Sequence, residues 1–218
     1  MTKEERLEAL ADEFETENIQ VVAEDPLEVY LPDEELELWL LNKEEAIDIA
    51  KREIKDDIKD YGLDAFDFKV KQWAIDNALK EEELIKPIEK EIRRIFAEEY
   101  SDEDILYMII DNSFIDEEDV FDEDGDILLS DEEYEELLEK VIQKELDAAK
   151  SDPVAYCNYI LDTDEDFLKD LLNGDHALDY IDFDKLADKL IEWNGPAYFI
   201  AQNGNYYKLA NDLVAYEI

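Results

Sequence analysis

Basic charge is scarce in this chain. Its 218 residues carry 21 Lys and Arg against 65 Asp and Glu, a formal net charge of -44 at pH 7. That balance excludes nucleic acid and anionic membrane as direct ligands, because both would be repelled. Basic proteins and cations are the natural partners. Cysteine is almost absent as well: Cys157 stands alone, so there is no disulfide framework, and a reducing cytoplasm, that of a host cell, is the expected location. The single histidine, His176, has no second histidine, no cysteine partner and no Gly-x-Ser-x-Gly elbow to complete a nucleophilic triad. Walker loops, Rossmann glycines and zinc-ligand spacing are missing, so no cofactor is expected. No apolar run approaches a membrane span of ~20 residues. The opening, MTKEERLEALADEF, is charged and amphipathic and lacks the apolar core of a signal peptide.

Apolar and aromatic residues are abundant. Hydrophobic residues make up 46%, with twelve Tyr, nine Phe and three Trp, which argues against disorder despite the charge. The length suits one large domain or two small ones with ample sequence for a core. The expected organisation is a scaffold module over 1–100, which holds most of the Lys and all four Arg, an acidic helical segment over 101–150 and an α+β module over 151–218. A single continuous elongated domain is the alternative. Cys157 lies among Tyr156, Tyr159 and Ile160 and reads as a core residue, not a reactive thiol. The aromatic residues read as core and interface, since no basic track accompanies them as a base-stacking platform would need.

Periodicity and capping signals predict an α+β fold, mainly helical. Thr2 with Glu5 opens a helix with Leu7, Leu10 and Phe14 on one face, ending near Asn18. Ile19–Ala23, Val29–Leu31 and above all Leu36–Leu41 are strand candidates. Asn42 with Glu45 opens a helix with a stripe of Ile47, Ala50, Ile54, Ile58 and Tyr61, stopped at Gly62. Phe66, Val70, Trp73 and Asn77 mark another, and Pro87 stands near the start of a third that turns Ile88, Ile92, Ile95 and Phe96 inward. Ser101 with Asp104 and Ser130 with Glu133 are further capping boxes. The second opens Asp131–Lys150, with Tyr134, Leu137, Leu138, Val141 and Leu146 inside and Glu132, Glu135, Glu136 and Glu139 outside. Pro153 starts a helix, Thr163 with Asp166 caps 167–172, and Asp182 opens FDKLADKLIEW, stopped at Gly195–Pro196. The end reads as strands: AYFIA, a turn at Asn203–Gly204, then YYKL and LVAYEI.

The most acidic stretch, Asp116 to Glu139, sits within a window, 101–140, that holds eighteen Asp or Glu and one Lys. Like charges at that density repel one another and disfavour the compact state, so their use is expected outside the molecule. The expected function is imitation of phosphate charge: a surface that occupies the groove of a DNA-binding protein. Duplex DNA carries one charge per ~1.7 Å, so a charge of this size matches roughly 75 Å of duplex. The expected contact residues are Asp116, Glu117, Glu118, Asp119, Asp122, Glu123, Asp124, Asp126, Asp131, Glu132, Glu135, Glu136 and Glu139. A halophile's acidic shell is the competing explanation. It should be evenly spread, rich in Gly and poor in Lys, whereas here Gly numbers five and the charge is blocked.

A second class of function is weighed on the same stretch. Asp122–Glu133, DEDGDILLSDEE, is similar to an EF-hand calcium loop, with Asp122, Asp124 and Asp126 at positions 1, 3 and 5 and Glu133 at position 12. Position 6, glycine in such loops, is Ile127, a residue ill suited to positive φ. A chance match in an acidic loop is favoured, and no metal site is assigned. Paired carboxylates are so common that no two stand out as a hydrolase pair. An acidic chaperone of basic proteins is the third reading.

Two segments carry a family resemblance. Asp179–Ile191, DYIDFDKLADKLI, resembles the tail of the ArdA family of antirestriction proteins, where a Tyr-Phe-Asp-Tyr-Glu-like opening precedes a helix. The stretch with WLLNKEEAIDIAKREI and LDAF, and the ending GPAYFIAQNGNYYKL, are similar to small acidic proteins of phages and mobile elements. The resemblance implies a non-enzymatic DNA mimic built from small α/β modules, a basic DNA- or RNA-binding protein of a bacterial defence system (restriction–modification or CRISPR effector) as its target, and a homodimer as an option.

Overall fold

The computed structural model describes residues 1–122, 127–159, 167–201 and 204–218. The chain divides into two compact units, Met1–Ala78 with Asn173–Ile218, and Leu79–Leu172. Both belong to an α+β fold that is mainly helical and has one small antiparallel sheet. Among the described residues no helix is long and apolar enough to cross a membrane.

The first unit opens with α1 (Lys3–Phe14), which the predicted Thr2–Glu5 capping box starts. Glu15 closes it in the left-handed region (φ 50), four residues short of Ile19. Three strands follow, β1 (Gln20–Glu24), β2 (Leu27–Leu31) and β3 (Leu36–Leu41). The sheet order is β1-β2-β3-β5-β4, antiparallel throughout. The central strand β3 is apolar on both faces because both are covered. Leu38 and Leu40 join Leu10 of α1 and Val29 and Leu31 of β2 in one core cluster. Trp39 and Leu41, one pleat out of phase, face a second cluster with Ala46, Ile49 and Ala50. Those three lie on α2 (Lys43–Tyr61), opened by the Asn42–Glu45 box and stopped at Gly62 (φ 59). Arg6 ties α1 to this helix start through Glu45, at 2.7 and 2.8 Å. The helix α3 (Phe68–Asn77), capped by Asp67, ends this passage of the chain.

The second unit is helical. It comprises α4 (Glu81–Glu98), α5 (Asp102–Asp111), the single-turn α6 (Glu117–Val120), α7 (Asp131–Ser151), α8 (Pro153–Tyr159) and α9 (Phe167–Leu171). Its core takes Leu84, Ile88 and Ile92 from α4, Ile105 and Ile109 from α5, and Leu137, Val141 and Leu146 from α7. Pro87 lies inside α4, not near its start. A proline at that depth leaves the Glu83 carbonyl without its helical donor, and the apolar stripe that begins at Leu84 holds the turn in place. Cys157 of α8 is buried, and that burial pushes its thiol up to about 11.

Asn173 returns the chain to the first unit, through α10 (Ala177–Tyr180), α11 (Phe183–Asn194), α12 (Ala197–Ile200), β4 (Tyr206–Lys208) and β5 (Val214–Glu217). Asp182 caps α11 as predicted, and Gly195 (φ 76) stops it. Several expectations are corrected here. AYFIA is a helix and not a strand. Pro196 has φ -65 and ψ -30, a helical start, and Ala197, Ile200 and Ala201 pack on Leu41 and Ile49. Gly204 (φ 73) therefore precedes β4 instead of joining two strands, and β4 pairs with β5 across residues 209–213. Tyr61, expected in the α2 stripe, is 60% exposed, and Ala46 and Ile49 are buried in its place. The limits of the units fall at 78/79 and 172/173, not at 100/101 and 150/151, because β5 crosses back to pair with β3. Ile160, Thr163, Asp166 and Asn203 lie outside the described residues.

Candidate anionic interface

The acidic block belongs to the second unit, where two helices start with the same device. Ser101 accepts from the Asp104 N–H and Asp104 accepts back from the Ser101 N–H; Ser130 and Glu133 repeat the pattern. Each first turn therefore holds three acids, Asp102, Glu103 and Asp104 in α5 and Asp131, Glu132 and Glu133 in α7. Anions there offset the positive end of the helix dipole. Hydrogen bonds from Ser101 and Ser130 hold the Asp104 and Glu133 carboxyls below their usual ranges.

The two helices lie side by side and run parallel. The Tyr134 hydroxyl donates to Asp102 at 3.2 Å, and Lys144 donates to Asn112; both pairs are 32 residues apart in sequence. Equal offsets at the two ends mean parallel, in-register packing over about 15 Å. The six first-turn acids are thus gathered at one end. Burial, then Asp102, pushes the Tyr134 phenol up to about 12, so the hydroxyl stays a donor at neutral pH. The sequence reading missed Asp102, Glu103 and Asp104 as part of this surface. Two serine capping boxes, one ahead of the block and one within it, were the available signal.

The expected contact residues divide into three groups. Asp116, Glu117, Glu118 and Asp119 of α6 (Asp116 at its N-cap), Asp122, and Asp131, Glu132, Glu135 and Glu136 of α7 are all exposed. Glu139 is exposed too, but it is not a free carboxylate. Arg93 of α4 donates to both its oxygens at 2.8 and 2.9 Å, and that guanidinium holds its carboxyl below the usual range. It fixes α7 to α4. Glu123, Asp124 and Asp126 lie outside the described residues. Lys140 stands 3.9 Å from Glu136, and Lys144 and Lys150 follow it on α7. The free anionic row on α7 therefore spans Asp131 to Glu136, about 7.5 Å along the axis. That matches about three phosphates of one strand at ~3.4 Å each, far less than the total charge suggests.

Exposed apolar groups lie within the acidic stretch and on α5, and the sequence reading did not single them out. Tyr107 of α5 is 51% exposed, Ile127 53% and Leu128 54%. Phe121 pairs with Ile127 in an antiparallel bridge and lies 6.4 Å from the Tyr107 ring. The same bridge bears on the calcium loop: Ile127 pairs with Phe121 across it, whereas position 6 of such a loop makes the sharp turn. Glu133, the would-be bidentate ligand, accepts from the Ser130 N–H and hydroxyl at 3.0 and 2.6 Å. Among the described residues no group of three or more His, Cys, Asp or Glu could hold a metal ion.

Comparison of the chain with family models, curated proteins and solved structures finds no match.

Proposed function

We propose that this protein inhibits a nucleic-acid-binding enzyme of a bacterial defence system by occupying the cationic groove that would hold phosphates. In this reading it is a phage or mobile-element product that works in the host cytoplasm, by occupancy and not by catalysis. The ArdA-like stretch at Asp179–Ile191 agrees with that role. The observation that carries it is the α7 row: Asp131, Glu132 and Glu135 make no ion pair among the described residues, although Lys and Arg elsewhere in the same unit pair with other acids. Helix capping accounts for Asp104 and Glu133, and packing accounts for Glu139. The helix dipole favours Asp131 and Glu132 and Lys140 faces Glu136, but no ion pair or cap among the described residues accounts for Glu135.

The exposed Tyr107 and Ile127, joined through Phe121, fit the usual division of labour at an interface, in which charge sets encounter rate and a few desolvated side chains supply most of the affinity. The test is a plating assay. Cells carrying a restriction or CRISPR system, with and without this protein, are challenged with unmodified phage. Expression should restore plating across at least one system, and Asp119, Glu132, Glu135 and Glu136 changed together to Lys should abolish the effect while the circular dichroism spectrum is kept. Restoration that survives the fourfold reversal removes the acidic row from the mechanism.

A further inference from the structure

A cleft in the first unit, independent of the acidic row, has a ligand chemistry of its own. It encloses ≈ 310 Å³, the lower end of the ~300–1,000 Å³ range of ligand pockets, which suits a head group better than a drug-sized molecule. The buried Val70 and Leu190 line it together with three aromatic residues, Phe66, Tyr198 and Phe199. Tyr198 and Phe199 meet edge to face at 5.0 Å, and the Tyr198 ring is 67% exposed. A tyrosine so exposed in the lining of a cleft is open to a ligand.

Three carboxylates complete the lining: Glu53 and Asp57, one turn apart on α2, and Asp67 at the start of α3. Asp67 uses one oxygen to cap α3, accepting from the Val70 N–H at 3.0 Å. Glu53 and Asp57 have no Lys or Arg partner among the described residues, whereas Asp56 beside them pairs with Lys59 and Glu45 with Arg6. Burial, then Asp60 and Asp56, pushes the Asp57 carboxyl up, the response of an acid that lacks a counter-charge. Carboxylates, aromatic rings and buried apolar side chains in one lining are jointly complementary to one class of ligand.

We propose that this cleft binds an organic cation, an alkylguanidinium or alkylammonium head held by Glu53, Asp57 and Asp67 and stacked on the Tyr198–Phe199 pair. The head can be the end of an arginine or lysine side chain of a protein partner, or a small free amine; the chemistry is shared.

Titration of n-butylguanidinium chloride into the ¹⁵N-labelled protein tests this, with NaCl at matched ionic strength as the control and the peptide acetyl-Ala-Arg-Ala-amide as a second arm. The expected result is saturable amide shifts at Phe66, Asp67, Tyr198 and Phe199 that NaCl does not reproduce. Glu53→Gln with Asp57→Asn should weaken the binding at least about fivefold, and Tyr198→Ala about threefold. These positions are exposed, so the variant spectra should otherwise overlay. Saturation by both probes points to a side chain of a partner; saturation by the free cation with the peptide excluded points to a small amine. Shifts that rise linearly and spread equally along α7, or affinity unchanged in the variants, overturn the proposal.

Discussion

Replacing Glu132, Glu135 and Glu136 by Gln should make the protein more stable. If these acids serve a partner, removing them relieves the fold. On α7 the positions three and four apart are neighbours, and like charges there cost ~0.2–0.5 kcal/mol per pair. The substitutions remove the pairs 131–135, 132–135, 132–136 and 133–136, a relief of ~1–2 kcal/mol. Pairs that include Glu139 are left out of that sum, because Arg93 already neutralises it. Two losses oppose the gain. Glu132 sits in the first turn, where its charge helps the dipole by ~0.3–1 kcal/mol. Glu136 faces Lys140, a pair of ~0.3–0.5 kcal/mol. The net gain is about 0.5 kcal/mol, which raises the midpoint by about 1–2 °C in a chain of this length. The gain should vanish in ~1 M salt, where the screening length is ~3 Å. The assay matters: Trp39, Trp73 and Trp193 all lie in the first unit, so tryptophan fluorescence is silent about α7, and far-ultraviolet circular dichroism must be used. A loss of more than ~1 kcal/mol at low salt refutes the reasoning, because the carboxylates would then belong to the fold.

Other outcomes follow from the same geometry. Leu40→Ala, which empties a fully buried site in the central strand, should cost ~2–5 kcal/mol in urea unfolding followed by tryptophan fluorescence. Asp57, pushed up in the fold by burial and by Asp60 and Asp56, should add stability as pH falls through its folded value, because the folded chain then holds that proton more tightly than the unfolded one. Stability should fall below about 4, where Asp104, Glu133 and Glu139, held low by Ser101, Ser130 and Arg93, lose hydrogen bonds that exist above their unfolded values. A melting series across both ranges measures both limbs. Cys157 should resist a thiol reagent at pH 8 in the native protein and react at once in denaturant, since it is 3% exposed and its thiol is pushed up to about 11.

The local signals in the sequence were strong wherever one side chain acts on its own backbone. The boxes at Thr2, Asn42, Ser101 and Ser130 all form, each a matter of residues three apart. The run LELWLL is a strand, and its lack of alternation reflects a sheet covered on both sides. What failed depends on distant partners. AYFIA has no decisive period in five residues, and its helix is decided by Gly195–Pro196 and by the Leu41–Ile49 surface it meets. That β5 pairs with β3, joining residues 38 and 217, is a pairing no local pattern carries. At the acidic block the exposure of Glu132, Glu135 and Glu136 was readable from helical period. The loss of Glu139 to Arg93, 46 residues away, was not, and neither was the parallel alignment of α5 with α7.

The most direct measurement of the central claim is DNA competition on the immobilised protein. Bacterial DNA-binding proteins loaded at low salt should be retained, released by a duplex oligonucleotide at an ionic strength where NaCl alone releases nothing, and lost from a column of the variant with Asp119, Glu132, Glu135 and Glu136 changed to Lys. Retention that duplex DNA cannot displace, or that the reversed surface keeps, contradicts the claim that this row stands in for phosphates.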